Sequence, residues 1–278
     1  MLFAAQQGDL ASASLLLDAG ADLNDATPRD GSALVVAAAS GQEAVATLLL
    51  EKGADPNAVD RNGMTALHHA ASNRSLLKLV TTLLARGAGP NARLARNTSD
   101  KEGLNLLDAT PFFLAAASLN AGAMRALAQG GADPRLATDA HTTPLMVAAG
   151  VGRFEERTIS EYDRALEAVK MAVALGADVN AVGENGWTAL HGAAYTGADA
   201  IITFLVDHGA NMGAHDRFGQ TPLSIAEAVI TVGLGDYADV RPRKYRTTTV
   251  DLLVKLGAPS LEASGVRRLG SLAVRPDP

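Results

Sequence analysis

The stretch Asp60-Arg61-Asn62-Gly63-Met64-Thr65-Ala66-Leu67-His68 and its second copy, Asn185-Gly186-Trp187-Thr188-Ala189-Leu190-His191-Gly192-Ala193-Ala194, decide how this chain is read. Asp and Gly at the front suit a tight projecting turn. Thr then offers a side-chain oxygen to the orphan N–H groups of a helix start. Leu and the paired alanines bury one face of that helix, and alanine is small enough to let a neighbouring helix approach. The Thr-Pro/Ala-Leu phrase recurs at Thr143-Pro144-Leu145 and Thr221-Pro222-Leu223, with variants at Ser32-Ala33-Leu34 and Thr110-Pro111-Phe112. Proline directly after the cap is pre-set for the first helical turn.

A second phrase, Gly-Ala-Asp-x-Asn, stands at Gly20, Gly53 and Gly176, with looser copies from Gly87, Gly131, Gly209 and Gly257. Its glycine fits a left-handed cap that ends a helix. Between the two phrases lies a more apolar segment, such as Val45, Leu48 and Leu49, or Ile201, Ile202 and Leu205. Leu34 to Leu67, Phe112 to Leu145 and Leu190 to Leu223 are each 33 residues apart, and the two remaining gaps are each 45. The period is therefore 33, interrupted by insertions.

A 33-residue unit of turn, short helix and longer helix that carries Thr-Ala-Leu-His resembles the ankyrin repeat. The resemblance covers roughly residues 3 to 259. It implies an all-α solenoid of about seven helix-turn-helix repeats with projecting fingers, because one such unit cannot bury its own apolar face and must stack on neighbours. A single array over residues 1–259 is expected, followed by a loosely ordered tail over 260–278.

Three insertions depart from the pattern, at about residues 92–108, 150–162 and 232–249. The first should lengthen one finger, and the others lie between the two helices of their units. The turn glycine is replaced by Asp108 and by His141. A positive φ suits Asp better than His, and the expectation is that these two fingers adopt a different turn. Leu2 to Asp9 reads as the second half of a first helix without its cap, which suggests that the natural chain continues upstream.

With 24 basic against 30 acidic residues, the net charge of −6 supplies no field to draw phosphate backbones, so nucleic acid is not expected as a partner. No apolar run reaches a membrane span. The absence of cysteine removes disulfides, thiolate metal sites and cysteine nucleophiles. The start of the chain lacks a signal-peptide pattern, and localisation is left open. No cofactor is expected: there is no Walker lysine, complete dinucleotide loop or Gly-x-Ser-x-Gly elbow. No metal is expected either, since the adjacent His68 and His69 point apart on a helix. The resemblance gives His68 and His191 a structural role, bonding neighbouring backbone.

Only eleven aromatics are present. Phe112 and Phe204 fall at core registers, and Phe3 and Phe113 are expected to pack against helices. Trp187, Tyr195 and Phe218 fall instead on fingers and first-helix surfaces, which in ankyrin-like arrays line the concave recognition face. Phe154, Tyr162, Tyr237 and Tyr245 lie on the second and third insertions. The basic run Arg241-Pro242-Arg243-Lys244-Tyr245-Arg246 could grip a carboxylate, a phosphate or an acidic patch, or be neutralised by Asp236 and Asp239.

The expected function is a monomeric, non-enzymatic scaffold that binds a protein partner through the concave face and insertions of its C-terminal half. Candidate binding residues are Trp187, Tyr195, Phe218, Tyr162, Tyr237, Arg241, Arg243 and Tyr245. One alternative is a small-molecule or glycan pocket closed by the insertions. Another is an enzyme that uses Glu155, Glu156, Tyr162, Asp236, Tyr237 and Arg243, although no catalytic constellation supports it.

Overall fold

The computed structural model describes residues 1–96, 104–153, 157–228, 246–260 and 262–263. Fourteen α-helices appear among them, in seven pairs, together with one two-residue hairpin. The architecture is that of an all-α helical-repeat solenoid. Two compact units are distinguished: residues 1–140 with Ala174–Gly176, and the remainder from His141.

In the first unit, the leading helices are α1 (Leu2–Gln7), α3 (Ala33–Ala39), α5 (Ala66–Ser72) and α7 (Pro111–Ala117). They pack side by side in one layer. Behind them lies a second layer of α2 (Leu10–Asp18), α4 (Glu43–Glu51), α6 (Leu77–Ala85) and α8 (Ala121–Gln129). The core between the layers is built from Leu34, Leu49, Leu67, Leu83, Phe112 and Met124, all fully buried. Strands β1 (Ala26–Thr27) and β2 (Gly31–Ser32) pair antiparallel to form one finger, with Thr27 opposite Gly31.

In the second unit, α11 (Ala189–Thr196) packs between α9 (Pro144–Ala149) and α13 (Pro222–Ala226), while α12 (Asp199–Asp207) packs on α14 (Thr247–Lys255). The second helix of its first pair, α10 (Ile159–Ala174), has 16 residues where most of its counterparts have nine. The extra length comes from the second insertion, since residues 159–162 are helical. At the third insertion, α14 begins at Thr247, inside the span assigned to a loop. There the Thr249 hydroxyl donates to Asp199 Oδ1 at 2.6 Å and is fully buried.

The local chemistry follows the repeated phrases. The hydroxyls of Thr65, Thr110, Thr143 and Thr221 each accept the N–H three residues on, at 3.2 to 3.4 Å. Ser32 occupies the same position, but its buried hydroxyl has no partner. Each Gly of the Gly-Ala phrase, from Gly20 to Gly257, has positive φ, and a Cβ there would meet nothing within 4 Å. Those glycines are required by conformation alone.

Fingers hydrogen-bond to their neighbours within each unit, as from Ala95 N–H to Asn62 O at 2.9 Å and from Arg217 N–H to Asn185 O at 3.0 Å. The Asn that ends the Gly-Ala-Asp phrase adds a clamp. Asn57 Nδ2 donates to Gly87 O while its Oδ1 accepts Gly89 N–H, and Asn180 does the same with Gly209 and Asn211.

Three expectations need correction. Asp108 and His141 keep the left-handed turn, with φ of 64° and 56°, close to the 83° of Gly63. The finger's hydrogen bonds impose that turn: Asp108 N–H donates to Leu94 O at 3.1 Å, and Arg93 lies 3.7 Å from the Asp108 carboxylate. Phe3 is not packed among helices but 75% exposed, since its side of α1 has no neighbour. Phe204 is only half-buried, because its ring lies 4.0 Å from His208 and beneath Lys170 rather than in the core. Phe113 is fully buried, as expected.

Candidate functional site

The two finger aspartates, Asp60 and Asp216, show how the fingers are held. Asp216 Oδ1 accepts the N–H groups of Phe218 and Gln220 at 2.9 and 2.8 Å, and Asp60 Oδ1 accepts those of Asn62 and Met64. Each carboxylate folds its own turn. The other oxygen of Asp216 accepts the indole N–H of Trp187, at 3.1 Å, from the preceding finger. Trp187 thus ties two fingers of the second unit together while remaining half-buried.

Around Trp187 the rings form a cluster. Tyr195, one turn beyond His191 on α11, has its centroid 5.8 Å from the indole, and the His191 imidazole stacks on it at 6.2 Å. Phe218 is placed differently. It carries the Arg217 guanidinium 4.7 Å above its ring, so the tryptophan's ring neighbours among the described residues are His191 and Tyr195.

The end of α11 is where the insertions meet the cluster. The last carbonyls of a helix have no partner within it. Tyr162, from the second insertion, donates its hydroxyl to Thr196 O at 2.7 Å. Arg246, at the exit of the third insertion, donates Nε–H to Tyr195 O at 2.7 Å. Gly197 is obligatory there: its φ is 71°, and a Cβ would fall 2.6 Å from the Arg246 guanidinium. Arg246 was not among the residues chosen from sequence. The basic run already pointed to it, but only the helix end explains why this arginine is selected.

Tyr162, Trp187 and Tyr195 therefore share one end of α11. Phe218 lies on the adjoining finger. Tyr237, Arg241, Arg243 and Tyr245 lie outside the described residues, as do Phe154, Glu155, Glu156, Asp236 and Asp239.

The two motif histidines are structural knots. Thr65 N–H donates to His68 Nδ1 at 3.1 Å, and His68 Nε2 lies 3.1 Å from Ala92 O in the next finger. His191 repeats this with Thr188 and Gln220 O. With Nδ1 accepting, Nε2 must carry the proton and donate. Burial pushes His68 down to about 4 and lowers His191 in the same direction, so both are neutral at pH 7. Among the described residues, no group of three or more His, Cys, Asp or Glu side chains is placed to hold a metal, and no helix is long and apolar enough to cross a membrane.

A family model for ankyrin repeats (three copies) matches residues 1–94 and 158–229. Over 61 residues the chain is 36% identical to protein phosphatase 1 regulatory subunit 12A of Mus musculus, which is 22% of this chain and 6% of that protein. Over 47 residues it is 45% identical to the Notch-regulated ankyrin repeat-containing protein of Xenopus tropicalis, which is 17% of this chain and 41% of that one. The chain thus spans less than half the length of either relative. Among solved structures, the human ASB11 ankyrin repeat domain superposes with a TM-score of 0.67 at 26% identity, covering 92% of this chain and 96% of that one.

Proposed function

The chain belongs to the ankyrin-repeat family, whose repeats generally mediate protein–protein interaction, and from that premise we propose that it is a non-enzymatic scaffold that binds a partner protein through the inner face of its second unit. One observation carries the reading: two insertions send Tyr162 and Arg246 to the same helix end, beside Tyr195 and Trp187. Half-buried aromatics held in a hydrogen-bonded frame lose little entropy when a partner covers them. Trp, Tyr and Arg are the residues that most often dominate binding energy. Phe218 with its Arg217 extends the same surface along the next finger. Arg241, Arg243, Tyr237 and Tyr245 are proposed as further contacts from the third insertion.

The test is capture of partners on the immobilised chain, followed by cross-linking to place the contact and titration of the purified partner. Tyr195→Ala and Trp187→Ala should each weaken binding by about 2 kcal/mol or more, the loss typical of a hot-spot aromatic. Arg61→Ala, in the first unit, should change this affinity little. Because Trp187 also holds Asp216, Trp187→Phe separates the roles: it removes the indole N–H but keeps an aromatic ring. Cross-links confined to the first unit, or unchanged affinity in Tyr195→Ala, would remove the proposed site.

A further inference from the structure

The first unit has a groove of about 500 Å³ on its inner side, between α1, α3 and α5 and under two fingers. Its wall is apolar, formed by Phe3 with Val36 and Ala39 of α3. His69 lines it from α5, and Arg29 and Arg61 stand at the fingertips. The acidic residues nearby are already engaged. Asp60 spends one oxygen on its own turn, and Asp30 lies 3.8 Å from Arg29. The Arg61 guanidinium has no ion-pair partner among the described residues.

His69 differs from its neighbour in the same way. Both ring nitrogens of His68 are bonded. Neither ring nitrogen of His69 hydrogen-bonds to another described residue, although the side chain is half-buried. Burial lowers its proton affinity, so the ring is neutral at pH 7 and offers one donor and one acceptor. The groove therefore combines an apolar wall with an unpaired guanidinium fork and an unused imidazole.

We propose that this groove is a second recognition site, which takes an extended peptide segment of a partner protein bearing an apolar side chain next to an aspartate or glutamate. The apolar side chain covers Phe3 and Val36, and the carboxylate meets the Arg61 fork, a bidentate geometry that matches the planar guanidinium. A polyanion is disfavoured, because one free guanidinium in a chain of net charge −6 supplies no extended basic track. A peptide is favoured over a free carboxylic acid because a ring as exposed as Phe3, at 75%, needs an apolar surface from the ligand as well as a charge.

Panning the full chain against a phage-displayed library of random linear twelve-residue peptides tests this, with affinities of recovered peptides read by fluorescence polarisation. Expected sequences place an apolar residue within two positions of Asp or Glu. Their binding should weaken at least ten-fold in Arg61→Glu and be unchanged in Tyr195→Ala, which separates this site from the one on α11. In imidazole NMR spectra the peptide should move the His69 resonances and leave those of His68 in place. Recovery of no peptide, a basic consensus, binding indifferent to Arg61→Glu, or equally tight binding of glutarate alone would each overturn the proposal.

Discussion

His69 in the first unit and Gly192 in the second occupy the same position, each directly after the motif histidine of its leading helix. The surroundings are opposite. His69 lines an open groove. At Gly192 the second insertion comes so close that a Cβ would lie 2.6 Å from Val151 N and 3.0 Å from Gly150 C. One unit leaves its inner face to solvent, and the other fills part of it with its own chain. The repeat fixes the platform beneath both positions. What sits on the platform depends on the single side chain there and on whether an insertion arrives to cover it.

The comparison assumes that both units rest on the same histidine knot, and acid tests that most severely. His68 titrates near 4 in the folded chain against 6.5 ordinarily, so the folded state binds fewer protons between those values. Its contribution is fully present above pH 6.5 and is lost as pH falls toward 4, a change of about 3 kcal/mol for a shift of this size. The direction is the same for His191. Urea unfolding at pH 7 and pH 4.5 should show this loss in the wild-type chain and a smaller one in His68→Gln. An equal loss in both chains would mean that other groups govern the acid limb.

The platform position itself gives the next largest effect. Gly192→Ala must push against the backbone of the second insertion and should cost about 2 kcal/mol, as overpacking does. His69→Ala removes a ring with no hydrogen bonds and should stay within about 0.5 kcal/mol of the wild type. Thermal unfolding of the two variants decides it. If they were destabilised equally, the two inner faces would not differ as described.

The smallest expected effect concerns the fingers. His141 is exposed and held at φ 56°, a conformation costly to any residue with a Cβ. His141→Gly should stabilise the chain by about 0.5 to 1 kcal/mol, partly offset by the extra freedom of glycine when unfolded. Asp108→Gly should gain less, because aspartate tolerates the turn better and the substitution also removes the contact with Arg93. Melting temperatures of the two variants rank them, and an unchanged or lowered value for His141→Gly would show that the turn is not strained.

The platform was legible in the sequence because its causes are local and repeated. Thr65, Thr110, Thr143 and Thr221 cap helices three residues ahead, and the glycine of each Gly-Ala phrase ends a helix by its own backbone freedom. A 33-residue period then places like beside like. Trp187 and Tyr195 could be singled out as aromatics at non-core positions, although the sequence paired the indole with Phe218. It could not show that the indole N–H reaches Asp216 across 29 residues. The deviations depended on neighbours far along the chain. Asp108 and His141 kept a glycine's turn because adjoining backbone bonds impose it, and Phe3 is exposed because nothing packs on that side of α1. Arg246 became part of the α11 end only when folding presented it with an orphan carbonyl 51 residues away. Sequence alone determined the repeat, its caps and its core, since each is set within a few residues of the side chain responsible. Tertiary structure alone decided which polar groups meet a partner and which inner-face positions stay open, because both depend on contacts that a local pattern does not encode.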